Sequence, residues 1–254
     1  MKVFYLLSIV CLVRAGPVDF VHVNKNEVMN TASPRFFENV IEELLESVRE
    51  IILNGNEDIP VLDPFVIDHL DLDDETIPLP GARVTINDGT VKNLGTFIID
   101  HLRTTTVVLV TVIELEVHIP VIEVTADEYD LFLPVMDLTF FGKGDFNIQL
   151  VEPRVDINLR YAVLSGVSAD VKVSLGSFEP QINGLFYDQA ASDFVNLVLK
   201  LLVEDLLVEY EDDINTFLSD LVGEILADVL PGLIPYRGII NNLGLNTYAV
   251  NYEK

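Results

Sequence analysis

The sequence predicts an α+β fold: a long curved antiparallel sheet wrapped around a long C-terminal helix, enclosing an apolar tunnel. Three observations point there. An amphipathic helical stretch lies near the start of the chain. Residues 82–186 switch to a period of two, the mark of strands with one apolar face. Residues 188–230 return to helix, and "FVNLVLKLLVEDLLV" (194–208) has eleven apolar residues in fifteen. A helix apolar almost all round is a buried one.

The first fifteen residues, "MKVFYLLSIVCLVRA", have signal-peptide anatomy: Lys2, the apolar run Val3–Val13, and small or apolar Val13 and Ala15 before Gly16. The run is shorter than the roughly 20 residues that span a bilayer. The expectation is therefore a secreted chain, residues 1–15 being the signal and residues 16–254 a single domain. The one cysteine, Cys11, falls in the signal, so stability must come from the core rather than from disulfides. Losing Lys2 and Arg14 leaves 41 acidic against 13 basic side chains, so the formal charge moves from −26 to −28. That charge opposes nucleic acid and anionic membrane, and favours a monomer or weak dimer. No stable membrane insertion is expected.

"SPRFFENVIEELLESVREIILNG" reads as a helix opened by Ser33 and Pro34 and closed by Asn54-Gly55. Its apolar residues Phe36 to Ile52 follow three-four spacing, with Glu42, Glu43, Glu46 and Glu50 mostly outside the stripe. "EDIPVLDPFVIDHLDLDDETIPLPG" reads as a Pro- and Asp-rich connection. The strands follow. Leu115, Val117 and Ile119 alternate with Glu114, Glu116 and His118; Val155, Ile157, Leu159 and Tyr161 alternate with Asp156, Asn158 and Arg160. Asp88-Gly89, Gly142–Gly144, Ser165-Gly166, Gly176-Ser177 and Asn183-Gly184 read as turns between strands.

In the C-terminal helix Asn196, Lys200 and Glu204 form one narrow polar stripe, with Leu202 opposite. The stripe is read as the wet side, with Lys200 and Glu204 as an ion pair. Past residue 214 the apolar residues move to the stripe's side. Either the sheet leaves opposite sides open at its two ends, or the helix breaks near Glu209–Asp213.

The segments "IPVLDPFVIDHLDL" (59–72), "FFGKGDFNIQLVEPRVDINLRY" (140–161) and "INTFLSDLVGEILADVLPGLI" (214–234) occur in an order that resembles the arthropod juvenile hormone-binding and takeout proteins and the related group 7 mite allergens. The resemblance implies a tubular lipid-binding fold and a carrier rather than an enzyme. Takeout-like members have a cysteine pair near the mature N-terminus, and residues 16–40 have none. Group 7 allergens also lack it, which points to a lipid-binding protein of that broader type.

The ligand-lining candidates are Leu115, Val117, Ile119, Leu131, Leu133, Phe140, Phe146, Ile157, Leu159 and Tyr161 from the strands, and Val198, Leu202 and Leu206 from the helix. The expected partner is a small hydrophobic ligand such as a lipid, fatty acid or terpenoid. The alternative is a secreted protein that meets a microbial lipid or a partner protein through an exposed apolar patch. No catalytic or cofactor motif is present. His22, His69, His101 and His118 lack metal-ligand spacing, "GKGD" (142–145) reads as a hairpin turn rather than a phosphate loop, and "DHLDLDDE" (68–75) lacks the glycine and final Glu of an EF-hand.

Overall fold

A computed structural model describes residues 34–57, 59–77, 79–107, 110–135, 138–162 and 166–233. The signal segment, Ser33 and the hairpin tips lie outside the described residues.

Helix α1 spans Pro34–Asn54. Ile41, Leu44, Leu45, Val48, Ile51 and Ile52 are half-buried, whereas Glu42, Glu43, Glu46 and Glu50 are exposed, as the spacing predicts. Gly55, at φ 69°, closes the helix by donating its N–H to the Ile51 carbonyl. Beyond it Asp63 acts as a staple. Its two carboxylate oxygens accept the N–H groups of Asn93 (2.9 Å) and Gly95 (2.8 Å).

Nine strands follow: β1 (Phe65–Leu72), β2 (Arg83–Lys92), β3 (Ile98–Val107), β4 (Val110–His118), β5 (Val121–Val135), β6 (Leu138–Val151), β7 (Arg154–Ala162), β8 (Gly166–Ser174) and β9 (Ser177–Ile182). They pair antiparallel in two groups, β1-β2-β5-β6-β9 and β3-β4-β7-β8. The groups are halves of one bent sheet. His118 faces Arg154, Val121 faces Val151, and the register does not slip between them. The neighbouring strand behaves alike: Arg154 faces Ser174 and Val151 faces Ser177. A 3-10 turn at Leu94–Thr96 joins β2 to β3 on the same line.

The bend follows from residues that cannot continue a ladder. Pro120 and Pro153 have no N–H to donate. Ile119 donates to the Pro153 carbonyl (3.0 Å), and Glu152 donates to that of Pro120 (2.9 Å). Neighbouring residues on each strand thus bond to the same partner strand, which an unbroken pleat does not allow. Glu152 accommodates this with φ 49°. The alternation shifts by one residue. Odd positions Ile113, Leu115 and Val117 carry the apolar face before the bend; even positions Ile122, Val124 and Ala126 carry it after.

The C-terminal helix divides, the second of the two arrangements the sequence allows. Helix α2 is Gln189–Glu209 and α3 is Glu211–Leu233, broken at Tyr210. Asp188 caps α2 by accepting the Ala191 N–H (2.8 Å). Glu211, Asp212 and Asp213 fill the first turn of α3, where negative charge suits the helix dipole.

These helices run along the edge strand β8–β9. Asn196 Oδ1 accepts the Ile182 N–H (3.0 Å), and its Nδ2 donates to the Ile182 carbonyl (3.2 Å). Asn215 Oδ1 accepts the Val173 N–H (3.0 Å), and Ser219 Oγ accepts that of Val171 (2.8 Å). The lengths agree: Asn196 to Ser219 spans ~35 Å of helix and Val171 to Ile182 ~36 Å of strand. On the opposite edge Glu38 of α1 accepts the Thr104 N–H of β3 (3.1 Å).

Four expectations need correction. The Asn196–Lys200 side of α2 is not its wet side; it faces β9, because an edge strand's free amides need polar partners. Lys200 pairs with Glu179 at 2.6 Å rather than with Glu204. Leu202 and Val198 consequently lie away from β9, 47% and 41% exposed. Finally, Asp88-Gly89 and Gly142–Gly144 lie inside β2 and β6, and β1 occupies part of the segment read as a connection. Asp88 has φ 51°, a local irregularity rather than a chain reversal.

The edge caps predict an inversion of the expected mutational pattern. Asn196→Ala leaves the N–H and carbonyl of Ile182 without these partners and should cost about 1–3 kcal/mol. Leu202→Asp sits on an exposed side and should cost less than about 1 kcal/mol. Urea melts of both variants test this; a larger loss for Leu202→Asp would reverse the orientation of α2.

Candidate functional site: the apolar face of the bent sheet

Antiparallel register places partnered residues on one face. In one half Leu133 faces Phe140, Leu131 faces Gly142, Tyr129 faces Gly144 and Ala126 faces Phe146. Leu131, Leu133, Phe140 and Phe146 therefore share a face, and all four are half-buried. In the other half Leu115 faces Ile157, Val117 faces Val155, Ile113 faces Leu159 and Thr111 faces Tyr161. Here packing is closer: Ile113, Leu159 and Tyr161 form a buried cluster that Ile41 of α1 packs against. Tyr161 is thus a core residue in this structure, 6% exposed. Ile119 is half-buried at the bend, and Leu206 is half-buried on α2. Val198 and Leu202 lie on α2, 41% and 47% exposed.

Gly142 and Gly144 have a role that a turn reading misses. A Cβ on Gly142 would stand 2.8 Å from Leu185 Cα, and one on Gly144 would strike the Asn183 carbonyl. Their bare backbone lets residues 183–185 close down over β6, where Leu185 bridges to Gly142 and is 2% exposed. Asp145 holds this strap through its own carbonyl and carboxylate, which accept the Asn183 N–H (3.0 Å) and Nδ2 (2.9 Å). The Tyr129 hydroxyl donates to the Asn183 carbonyl at 2.7 Å. Burial, then the negative charge of Asp145 and the neighbouring Tyr187, push that hydroxyl up to about 12.

The ionic groups sit elsewhere. Asp100 joins His118 (2.7 Å) and Arg154 (2.8 Å) beside the bend. His69 lies between Asn87 (2.6 Å) and Asp71 (2.8 Å), and these two partners hold its pKa above the ordinary value. Among the described residues no three His, Cys, Asp or Glu side chains come together as a metal site. The apolar-face pairs Ile113–Leu159, Leu115–Ile157 and Val117–Val155 carry no charged side chain. Such a face can bind an apolar guest by burial.

Against this geometry, the family model described as "Haemolymph juvenile hormone binding protein (JHBP)" matches residues 9–240. The chain belongs to this family. Among solved structures this family member is similar to Epiphyas postvittana Takeout 1, with 16% identity and a TM-score of 0.43, covering 83% of this chain and 93% of that one. It is also similar to a lipopolysaccharide binding protein, with 10% identity and a TM-score of 0.34, covering 78% of this chain and 40% of the other. No curated protein matches the sequence.

The sequence did not single out Tyr129, Leu185 or the edge-capping Asn215 and Ser219. The usable signal was the G-x-G of β6 with the Asn-Gly at 183–184: paired glycines in strand context mark close backbone approach.

Tyr129→Phe should cost about 1 kcal/mol at neutral pH by leaving the Asn183 carbonyl without this donor. Because the folded value is raised from 10.0 to about 12, the neutral hydroxyl's stabilisation is full below pH 10 and is lost as pH climbs through about 12. Denaturant melts across that window should show wild type losing an increment that Tyr129→Phe does not lose. Equal pH dependence in both would remove Tyr129 from the strap.

Proposed function

We propose that this family member is a secreted carrier of a small hydrophobic molecule held against the apolar face of the bent sheet. The observation that carries the reading is the half-buried row Leu131, Leu133, Phe140 and Phe146, uncharged and on one face. Among the described residues the helices make their main contacts with β3, β8 and β9, and the strap at 183–185 covers the Gly142–Gly144 centre of this face, so a guest would lie against what the strap and Phe186 leave open. The family description, which names a hormone-binding protein, supports an apolar cargo. Binding then comes mainly from area removed from water, at roughly 25 cal/mol per Å². The uncharged lining favours a cargo such as a fatty acyl chain or a terpenoid, and no catalytic step is assigned.

Extracellular residence is part of the proposal. It rests on the signal anatomy of residues 1–15 and on the acidic mature composition. No described helix is long and apolar enough to cross a membrane. The charge of −28 after loss of Lys2 and Arg14 supports a monomer or weak dimer that does not bind nucleic acid.

Native mass spectrometry of protein purified without detergent should show a bound lipid that organic extraction removes. A clean apo mass, with no uptake of fluorescent fatty acids or terpenoids, would overturn the carrier reading. Sequencing of extracellular protein should find Gly16 at or near the N-terminus, and intact Met1 on most of the material would end the secretion reading.

A further inference from the structure

The strap ends in a turn that its residues do not favour. Leu185–Asp188 closes with the Asp188 N–H on the Leu185 carbonyl (3.1 Å), and the Tyr187 N–H reaches the Gly184 carbonyl (3.2 Å). The two central residues, Phe186 and Tyr187, stand at φ 54° and 55°. Turns with both central residues at positive φ are dominated by Gly, Asn and Asp, because a bulky side chain is strained there. Asn183-Gly184, the pair that suits such a turn, lies just before it and crosses β6 instead. The chain thus tolerates strain to keep two aromatic residues at this place, and strain of this kind clusters where a side chain serves function.

The two rings do different things. Tyr187 is 68% exposed and rests on Phe141, 5.8 Å between ring centres. Phe186 is half-buried, edge-on to Phe141 at 5.1 Å and tilted against Phe140 at 5.9 Å. Phe140 faces Leu133 across β5 and β6 and belongs to the guest row. Phe186 therefore adds a third side chain to that pair, beside the part of β6 that β9 does not reach: β9 pairs with β6 only over Phe146–Val151. The backbone carrying the ring is held at both ends. The Phe186 N–H donates to the Phe141 carbonyl (2.7 Å), and the Ser192 hydroxyl donates to the carbonyls of Leu185 (3.3 Å) and Asp188 (3.0 Å).

We propose that Phe186 is a specificity-determining residue: its ring walls the Leu133–Phe140 end of the guest face and limits how long an aliphatic chain the face accepts. The inference rests on the carrier reading above. A ring held by its backbone and by two neighbouring rings yields little, so methylenes that reach it meet filled space and gain no burial.

The probe is an uncharged fluorescent naphthylamine bound to the full chain and displaced by straight-chain alcohols from dodecanol to docosanol, which add length without charge. For wild type, affinity should rise by about fourfold per methylene and then stop rising at a limiting length. Phe186→Ala should move that limit to longer alcohols, and Phe186→Leu should keep it near wild type. Tyr187→Gly, which relieves strain without opening the wall, should leave it unchanged. Phe186→Gly removes ring and strain together, and replaces the alanine variant should that one fail to fold. Folded ring-less variants with the wild-type limit would overturn the proposal and leave the carrier reading intact. So would an equal loss of affinity at every length, or a wild-type affinity that climbs across the whole series. No fluorophore uptake and no alcohol binding by wild type would end the carrier reading and this one with it. Failure of both ring-less variants to fold would make Phe186 a core residue rather than a wall.

Discussion

An open antiparallel sheet leaves backbone groups unpaired along its outer strands, and the surrounding structure of this protein depends on how they are satisfied. Side chains from three helices do it. Glu38 reaches Thr104 on β3, Asn196 serves both polar groups of Ile182 on β9, and Asn215 and Ser219 take Val173 and Val171 on β8. The Ser219 hydroxyl donates to the Asn215 carbonyl (2.7 Å), which leaves a lone pair for the Val171 amide. These bonds orient the helices. A helix that turns Asn196 inward must turn Leu201 outward, so the exposed stripe on α2 is a geometric consequence of closing the sheet edge.

The second constraint is the bend. Had the pleat continued unbroken past His118, the even positions that are polar before the bend would have become the apolar ones after it, and the apolar rows would lie on opposite faces. The shared bonding at Ile119, Pro120, Glu152 and Pro153 shifts the alternation by one and keeps both rows on one side. One end of that face is then filled by Ile41 of α1 against Ile113, Leu159 and Tyr161. The Leu131–Phe140 end stays only half-buried. A protein that must hold a guest cannot satisfy its whole apolar face with its own side chains, and this unequal filling is how the carrier reading and a folded core coexist.

The same economy governs the strap at 183–185. Glycine at 142 and 144 gives up two side chains from the face so that backbone can lie close, and Tyr129 with Asp145 fixes it in place. A small residue in a strand interior is a cost in propensity, and the tertiary contact offsets it.

Much of this was legible in the residues. Periodicity located α1, the alternating strands and the break zone of the C-terminal helix, because each depends on neighbours a few positions apart. The apolar row on β5 and β6 was legible in the same way. Periodicity did not reveal which side of α2 meets the sheet. Hydrophobicity placed Leu202 inward, whereas unpaired amides on β9 drew Asn196 and Lys200 inward instead, and the location of a free strand edge is a property of the assembled sheet. Nor did it separate a glycine that turns the chain from one that admits another backbone, as at Gly144. By itself the sequence determined the helices, the period of the strands and a family. Only the tertiary structure decided which polar side chains close the edges and which apolar ones stay open, because hydrogen-bond partners far apart in the chain exist only once the strands have paired.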